Sequence, residues 1–559
     1  MKRNRKSIAI MLVLVMAAML LAACGPAADT GGAPPTGGET VASPPAPGAP
    51  PVVDGGDEIA EAPEEGANLA DHIDIIVDTQ ITVLNSTLPG ATGAPVTWAA
   101  TLVHDRLLQH IDDTELGPQL ATHWNTDDFQ TFTFTLRDDV VWHNGDPFTA
   151  ECVVLHHAII MEHPGSPAYT RWRWIDSITA TGTYELEMVL TEVFVDFLFE
   201  MANPHASIYN ARSFNENSSD PSWAWVGTGP FQVVGFEIND FLTVERFDAF
   251  WGEAPPTRSL TLWTIPEMGT RTVMLQTGAA QLSFGMTPED LDSLDDNPAF
   301  QMFTVMPNAP MVIGFNNMGD DIMMDKNFRL AIAHAINTDD IALVANGRWA
   351  VNAFDGNIWG LITQFRLDGL EKREHNLELA LQYLEQSVYN GETIELIAAG
   401  AYNIRAAEII QLQLAEIGID LAVEITDMAG FTAAHLYDPE STRQLHTFAI
   451  GAMPIALAAL RNTYYPGVHT NRLNYNDDRV TALTRELAVT SDVAAREAIA
   501  FEIQEIFWED LPAIPVWWRV TGIPAVNGIG GIRLFTNQFD HCLRGIFWDI
   551  NETEESLRP

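Results

Sequence analysis

The 559-residue sequence is poor in cysteine and in positive charge. Its three cysteines are too few for the disulfide framework of a small secreted domain, although Cys152 and Cys542 could pair in an oxidising compartment. Lysine and arginine total 29 against 75 acidic residues, which gives a formal net charge of −46. Such a surface repels phosphate backbones, so nucleic acid is not an expected partner. The charge fits either solubility in a salty or acidic medium or attraction of cationic and zwitterionic ligands.

Recognisable catalytic motifs are also missing. The sequence has no G-x-S-x-G elbow, no P-loop, no H-E-x-x-H and no C-x-x-C. Its densest metal-like cluster is His156, His157, Glu162 and His163. On a helix, the first and last of these would be about 10 Å apart along the axis, too far for one ion. We therefore expect neither an enzyme nor a bound metal or other cofactor.

The N-terminal segment has the pattern of a bacterial lipoprotein leader. A basic start at residues 2–6 precedes an apolar stretch, residues 8–21, that is too short to span a membrane comfortably. The stretch ends in LAACG, which resembles a lipobox and implies cleavage before Cys24 and lipid on that cysteine. Residues 1–23 would then be a signal peptide. Residues 24–70, rich in Gly, Pro, Ala, Ser, Thr and acid, predict a disordered tether.

Residues 116–154 predict strand, strand, turn and helix in that order. Phenylalanine and leucine alternate with threonine over residues 131–136, the period of a strand with one buried face. A second short strand is expected at residues 140–142, followed by a tight turn at Asn144-Gly145. Thr149 is the expected N-cap of a helix that starts at residue 150.

The same segment resembles the signature of family 5 extracellular solute-binding proteins, the dipeptide, oligopeptide and nickel receptors of ABC importers. The family reads approximately P-x-LA-x-x-W … F-x-LR-x-x-V-x-WH-x-G-x-PFTAEDV, and Cys152 stands where the family usually has an acid. GTGPF at 227–231, R-x-x-x-L from Arg271 and DLPAIPV at 510–516 resemble later family patterns. The signature residues that match are Pro118, Leu120, Ala121, Trp124, Phe134, Leu136, Arg137, Val140, Trp142, His143, Gly145, Pro147, Phe148, Thr149, Ala150, Glu151 and Val153.

The resemblance implies a large two-lobed α/β fold of the type II periplasmic-binding kind, with mixed β-sheets and an extra third subdomain. Lobe I would be discontinuous, made of residues 71–111, 220–305 and 512–559. The subdomain, residues 112–219, would be inserted in lobe I, and lobe II would comprise residues 306–511.

The resemblance also implies an extracytoplasmic receptor that captures peptides and delivers them to the permease and ATPase of an ABC importer. We expect a monomer, periplasmic or lipid-anchored through Cys24 to the outer face of the cell membrane.

Tyr402 and Asn403 are expected in a loop before a helix at residue 404. A ligand site needs apolar walls for affinity and placed polar groups for orientation. The candidate ligand-binding residues are Trp98, Tyr169, Trp172, Trp174, Asn316, Tyr402, Asn403, Met453 and Trp517.

Residues 449–460 leave the identity of the ligand open. Peptide-binding relatives carry Trp and Asp in this region, and the Asp pairs with the ammonium group of the peptide; this chain has Met453-Pro454 and no acid there. A buried ammonium without a counter-charge is costly. Either another acid such as Asp427 or Asp438 supplies the charge, or the ligand lacks a free ammonium. A nickel or other metal chelate, a sugar or an opine is therefore an alternative ligand, and a chaperone or sensor is an alternative role.

Overall fold

The computed structural model describes most of the chain beyond residue 62. The described residues are 63–64, 66–81, 84, 94–216, 225–317, 321–353, 355–360, 363–427, 430–431, 444–450, 455–464, 471, 473–536 and 541–556, all within the unit Ala49–Pro559. The expected signal peptide, Cys24, Asp438 and Met453 lie outside them. Within these ranges, no helix is both long enough and apolar enough to cross a membrane.

The chain alternates strands and helices along most of its length. The strands are β1 (His72–Val77), β2 (Leu108–His110), β3 (Leu116–Pro118), β4 (Ala121–Asn125), β5 (Thr131–Leu136), β6 (Ile175–Ala180), β7 (Glu185–Leu190), β8 (Phe231–Glu237), β9 (Phe241–Arg246), β10 (Ser259–Thr264), β11 (Leu282–Ser283), β12 (Phe300–Val305), β13 (Pro310–Phe315), β14 (Ala350–Asn352), β15 (Ile394–Ala399), β16 (Leu421–Thr426), β17 (Leu445–Ala449), β18 (Ala513–Arg519), β19 (Thr521–Val526), β20 (Ile529–Gly530) and β21 (Phe547–Trp548). The helices are α1 (Ala94–Val103), α2 (Ala150–Met161), α3 (Tyr169–Trp172), α4 (Phe197–Ala202), α5 (Ala211–Glu216), α6 (Met268–Gln276), α7 (Pro288–Asp295), α8 (Asp321–Met324), α9 (Lys326–Ala335), α10 (Thr338–Asn346), α11 (Leu377–Glu385), α12 (Ala401–Ala415), α13 (Ala456–Thr463), α14 (Asp478–Val489), α15 (Val493–Asp510) and α16 (Ile550–Ser556).

Two large mixed sheets form the two lobes. Lobe I is built on seven strands in the order β12-β19-β11-β1-β10-β9-β8, and lobe II on six in the order β14-β18-β13-β17-β15-β16. β1 pairs in parallel with β10 on one side and β11 on the other, and β15 pairs in parallel with β16 and β17. β1 is almost wholly buried, which explains why its sequence reads as the near-continuous apolar run HIDIIV. Separate apolar cores lie against the two sheets.

A third sheet, in the order β4-β5-β7-β6, forms the subdomain. The strand expected at residues 131–136 is confirmed, with Phe132 and Phe134 pointing into a core that also buries one side of α2. The prediction of a strand at residues 140–142 is wrong. Only an isolated bridge from Val141 to Pro147 forms there, because the Trp142 N–H donates to the Asp146 carbonyl and turns the chain back at once.

The helix after this turn begins at residue 150 as predicted, but its start is built differently from the prediction. Gly145 has the positive φ expected of the turn, 88°. Thr149 occupies the N-cap position with extended backbone, yet its hydroxyl makes no cap hydrogen bond and instead lies 3.7 Å from the Cys152 sulfur. Cys152 and Cys542 are both free thiols, so the pairing considered above does not form in this structure.

His143 joins two segments that the sequence shows only as separate motifs. Its Nδ1 accepts from the Gly227 N–H at 3.2 Å, and its Nε2 lies 3.0 Å from the Gly229 carbonyl oxygen, which accepts its proton. Burial lowers the pKa of His143, so the ring stays neutral and keeps this donor–acceptor pattern. A Cβ on Gly227 would lie within 2.6 Å of the Val103 carbonyl carbon. The signature and the GTGPF motif are therefore one packed unit against the end of α1.

Two adjacent chain crossings connect the lobes. β12 of lobe I leads into β13 of lobe II through residues 306–309. β18, whose residues were expected in lobe I, pairs within the lobe II sheet and leads into β19 of lobe I through Val520 alone. β12 pairs with β19, and β13 pairs with β18, both antiparallel. The crossings therefore lie side by side, which is the arrangement of a short hinge about which two rigid lobes can close.

Candidate ligand-binding cleft

The sheets of the two lobes face each other with corresponding edges. These are the edges at which β1 of lobe I and β15 of lobe II end. In lobe I, β1 pairs in parallel with β10 on one side and with β11 on the other. The strand order therefore diverges at β1, which makes this position a topological switch point. Ligands of open α/β sheets bind beyond the carboxyl ends of the strands at such points. Asp78 follows β1 at this edge, and Gly285 follows β11, with the Asp78 carboxyl group packed where a Cβ on Gly285 would lie. In lobe II, Gly400 leads from the carboxyl end of β15 into α12.

Charged pairs cross from one lobe to the other around this cleft. Glu289 of α7 accepts from the Nη1 of Arg405 of α12 at 2.6 Å. Nearer the hinge, Arg348 donates to Asp292 at 2.5 Å and to Asp295 at 2.9 Å. This ion pair joins helices α7 and α12 in this structure, and the region between the two facing sheet edges is the candidate cleft.

Arg271 and Tyr402 come from opposite lobes and lie near enough to each other to interact electrostatically. Arg271, on α6, is only 3% exposed, and burial lowers the pKa of its guanidinium, against the opposing effects of Asp78, Asp290 and Tyr402 nearby. Tyr402 lies in the first turn of α12, not in the expected loop, because Gly400 with φ 83° starts the helix at Ala401. Its hydroxyl accepts a hydrogen bond from Arg519 Nη1, and the Arg519 guanidinium lies 4.9 Å from its ring centre.

The other predicted residues in the lobes have buried positions. Trp98 of α1 packs against Phe284, with ring centres 4.3 Å apart, directly beyond β11. Asn403 donates from Nδ2 to the Ala399 carbonyl at 2.8 Å, whereas its buried Oδ1 has no partner among the described residues. Trp517 in β18 is buried, and within the same ranges its indole N–H has no partner either. Asn316, just after β13, accepts from Asn474 at 2.8 Å.

The three predicted aromatic residues after the signature helix lie in the subdomain. Trp172 is fully buried and packs edge-on against His156, with ring centres 5.1 Å apart. Trp174 is half-buried, with the guanidinium groups of Arg173 and Arg461 4.6 and 4.4 Å from its ring centre. Tyr169 is half-buried on α3. The sequence prediction thus combines residues at the lobe I–lobe II cleft, such as Tyr402, with residues of the subdomain core.

The histidine cluster considered as a metal site is part of that same core. His156 accepts from the Tyr209 N–H at 3.2 Å, and burial lowers the pKa of its imidazole to about 3, so it is neutral. Among the residues that the structure describes, no group of three or more His, Cys, Asp or Glu side chains is placed to hold a metal ion.

Sequence reasoning did not select Arg271, Glu289, Arg405 or Arg519 as site residues. Arg271 was visible as the first residue of the R-x-x-x-L pattern, but a single arginine on a helix usually faces solvent. Arg271 is buried and lies near Tyr402 because of the strand order in the two sheets, which the sequence does not show. Asp427, one of the two acids considered as partner of a ligand ammonium, is exposed and comes directly after β16, at the same edge of lobe II as Tyr402.

Comparisons with known proteins agree with this architecture. Residues 115–500 match the model for bacterial extracellular solute-binding proteins, family 5. The nickel-binding periplasmic protein of Escherichia coli is 26% identical over 349 residues, which cover 58% of this chain and 66% of that protein. The glutathione-binding protein GsiB of Pectobacterium atrosepticum is 24% identical over 426 residues, covering 72% of this chain and 80% of that protein.

A solved structure of similar fold extends the likeness to nearly the whole described part of the chain. The ABC transporter-associated periplasmic binding protein DppA from Helicobacter pylori, in complex with the peptide STSA, superposes with a TM-score of 0.75 at 23% identity. The superposition covers 86% of this chain and 98% of that one. By its sequence match, its two hinged lobes and its additional subdomain, the chain belongs to the family 5 bacterial extracellular solute-binding proteins.

Proposed function

We propose that this protein is the extracytoplasmic solute-binding component of an ABC importer and that it captures peptides between its lobes as a monomer. The observation that carries the proposal is the pair of sheet edges that face each other across a two-crossing hinge. A ligand that contacts both edges stabilises the closed form over the open one, whereas a ligand with equal affinity for both cannot. The protein releases its ligand unchanged to a permease and its ATPase.

Peptide is the favoured ligand because it combines a charged amino group with apolar side chains. In this proposal, Trp98, Asn403 and Trp517 contribute to the walls of the site, and Asp427 replaces the missing acid of residues 449–460 as partner of the peptide ammonium. Two of the similar proteins carry a peptide or glutathione in their names.

The nickel-binding relative supports the second candidate, a metal chelate or another non-peptide solute such as a sugar or an opine. A chaperone or sensor role would use the same cleft without a permease.

A thermal-unfolding screen of the purified protein tests the ligand class. We expect mixtures of short peptides to raise the unfolding temperature, because a ligand at 100 times its Kd stabilises the folded state by about 2.7 kcal/mol. Nickel–histidine chelates and oligosaccharides serve as matched alternatives. Stabilisation by a chelate or a saccharide alone would overturn the peptide assignment, and hydrolysis of any ligand would overturn the receptor assignment.

We further propose that lipid on Cys24 anchors the protein outside the membrane. Expressed in a bacterial host with its leader, the wild-type protein should partition into the detergent phase, because two or more acyl chains give stable membrane attachment. Cys24→Ser should leave the protein in the aqueous phase or unprocessed. Cys542→Ser, which also removes one thiol, should partition like the wild type. Detergent-phase partitioning of Cys24→Ser would contradict the proposal.

A further inference from the structure

Arg271 is a buried cation with two nitrogens that make no hydrogen bond within the described part of the chain. It is 3% exposed, and these nitrogens are Nε and Nη1. A guanidinium has five N–H donors, and removing them from water without replacement acceptors is costly. Buried polar groups in folded proteins usually have partners, and a ligand that binds at this sheet edge can supply the acceptors that the two Arg271 nitrogens lack.

The nearest carboxylates are engaged with other groups. Asp290 accepts from the hydroxyls of Thr287 at 2.7 Å and Thr272 at 3.1 Å, which hold it at the start of α7. Asp78 is exposed and accepts from the Thr79 hydroxyl at 3.2 Å. Both lie close enough to Arg271 to favour its charged form, but neither accepts a hydrogen bond from it. Arg271 therefore has electrostatic support from these carboxylates but no hydrogen-bond acceptor among the residues that the structure describes.

A second donor, in lobe II, lies near enough to Arg271 to interact with it electrostatically. The Tyr402 hydroxyl already accepts from Arg519, so its own proton is directed elsewhere, and it has no acceptor among the described residues. Tyr402 also lies in the first turn of the 15-residue helix α12, whose N-cap has no side-chain hydrogen bond. The positive end of the α12 dipole adds to a local preference for negative charge.

We propose that Arg271 and Tyr402 form a subsite for a carboxylate group of the ligand, with Arg519 as a positioning residue behind Tyr402. A carboxylate matches the planar fork of a guanidinium and can accept from a phenol at the same time. A phosphate, with nearly two charges, would be repelled more strongly by Asp78 and Asp290. One group bound by both lobes would also favour closure. The subsite rests on the proposed function for its place in a closing cleft, but its chemistry holds for any carboxylate-bearing solute.

Peptides that differ only at the carboxyl terminus test the subsite. For a peptide selected by the thermal screen, we expect the free acid to bind the wild-type protein at least tenfold more tightly than its C-terminal amide, measured by calorimetry. Arg271→Gln should reduce that ratio to within twofold, and Tyr402→Phe should reduce it partly. Arg246→Gln on β9, which removes the same charge from lobe I, is the matched control and should keep the wild-type ratio.

The stability of the unliganded protein separates a binding role from a structural one. Because Arg271 has no acceptor in the described ranges of the chain, Arg271→Gln should unfold at or above the wild-type temperature without ligand, whereas loss of a structural arginine would lower it. A free acid and an amide of equal affinity, or an unchanged ratio in Arg271→Gln, would overturn the subsite and leave the receptor function standing.

If no peptide binds, the peptide assignment fails, and simple anions decide the subsite alone. Acetate and succinate at constant ionic strength should then stabilise the wild type and Arg246→Gln more than Arg271→Gln. Equal effects on all three proteins, or stabilisation by inorganic phosphate instead, would overturn it.

Discussion

Replacing Asp105 by asparagine is expected to lower the free energy of unfolding by about 3–5 kcal/mol. The Asp105 side chain is fully buried and accepts four hydrogen bonds. One oxygen accepts from Arg544 at 2.6 Å and from Gln119 at 3.0 Å. The other accepts from Thr228 at 2.9 Å and from the Trp251 indole at 3.0 Å. An asparagine would place an NH₂ group against one of these donor pairs and would leave the guanidinium of Arg544 without its counter-charge.

Urea unfolding followed by tryptophan fluorescence measures this loss. We expect the midpoint of the first unfolding transition to move to a lower urea concentration. The reason is that the Asp105 carboxylate joins the end of α1 to the signature, the GTGPF motif and the C-terminal segment. Asp139→Asn is the matched control, since Asp139 is half-exposed and pairs only with Arg137 on the surface. That change should stay within about 0.5 kcal/mol. Equal effects of the two substitutions would mean that Asp105 does not hold these segments together.

Asp105 shows why the sequence predicted local structure better than tertiary structure. Its four partners are 14, 123, 146 and 439 residues away along the chain. Thr228 belongs to the GTGPF motif that the sequence made visible, but a motif does not state which distant residue completes it. The strand at residues 131–136 and the helix that begins at residue 150 were predictable because hydrophobic period and a turn act within a few residues.

The candidate site was only partly predictable for the same reason. Tyr402 was selected as an aromatic residue near a helix start, and the structure places it opposite Arg271. Trp172, chosen on similar grounds, packs inside the subdomain, because an aromatic side chain fits a core and a ligand pocket equally well by composition. The position of Arg271 depends on β1 lying between β10 and β11, a strand order that no local pattern encodes.

Replacing Arg496 by methionine is the second substitution with a large expected effect. Arg496 on α15 donates from Nη2 to Asp196 at 2.6 Å, and the two side chains are 5% and 10% exposed. Beside this pair, the Val195 N–H donates to the Ala488 carbonyl at 3.1 Å, so the contact joins the subdomain to α14 and α15. Arg496→Met would leave a buried carboxylate without its counter-charge. We expect a loss of about 3–5 kcal/mol in the free energy of unfolding at neutral pH.

The matched variants separate the cost of burial from the attraction between the charges. Burial raises the pKa of Asp196 even with Arg496 beside it, which indicates that desolvation outweighs the attraction of the pair. An apolar pair of similar volume should therefore be tolerated, and Asp196→Leu/Arg496→Met should be closer to the wild type than either single variant. Additive losses in this double-mutant cycle would show that the two side chains act independently.

The pH dependence of the single variants gives a further test of the same contact. In Arg496→Met, the folded-state pKa of Asp196 rises further above its unfolded value, so the folded protein gains from binding a proton. The destabilisation relative to the wild type should be full above that raised pKa. It should shrink as the pH falls below it, by up to about 1.4 kcal/mol per pH unit, until the pH reaches the lower, though also raised, folded-state pKa of Asp196 in the wild type. Asp196→Leu has no carboxylate to protonate, so its destabilisation should not shrink in this way, and parallel pH profiles for the two variants would refute a buried ion pair at this interface.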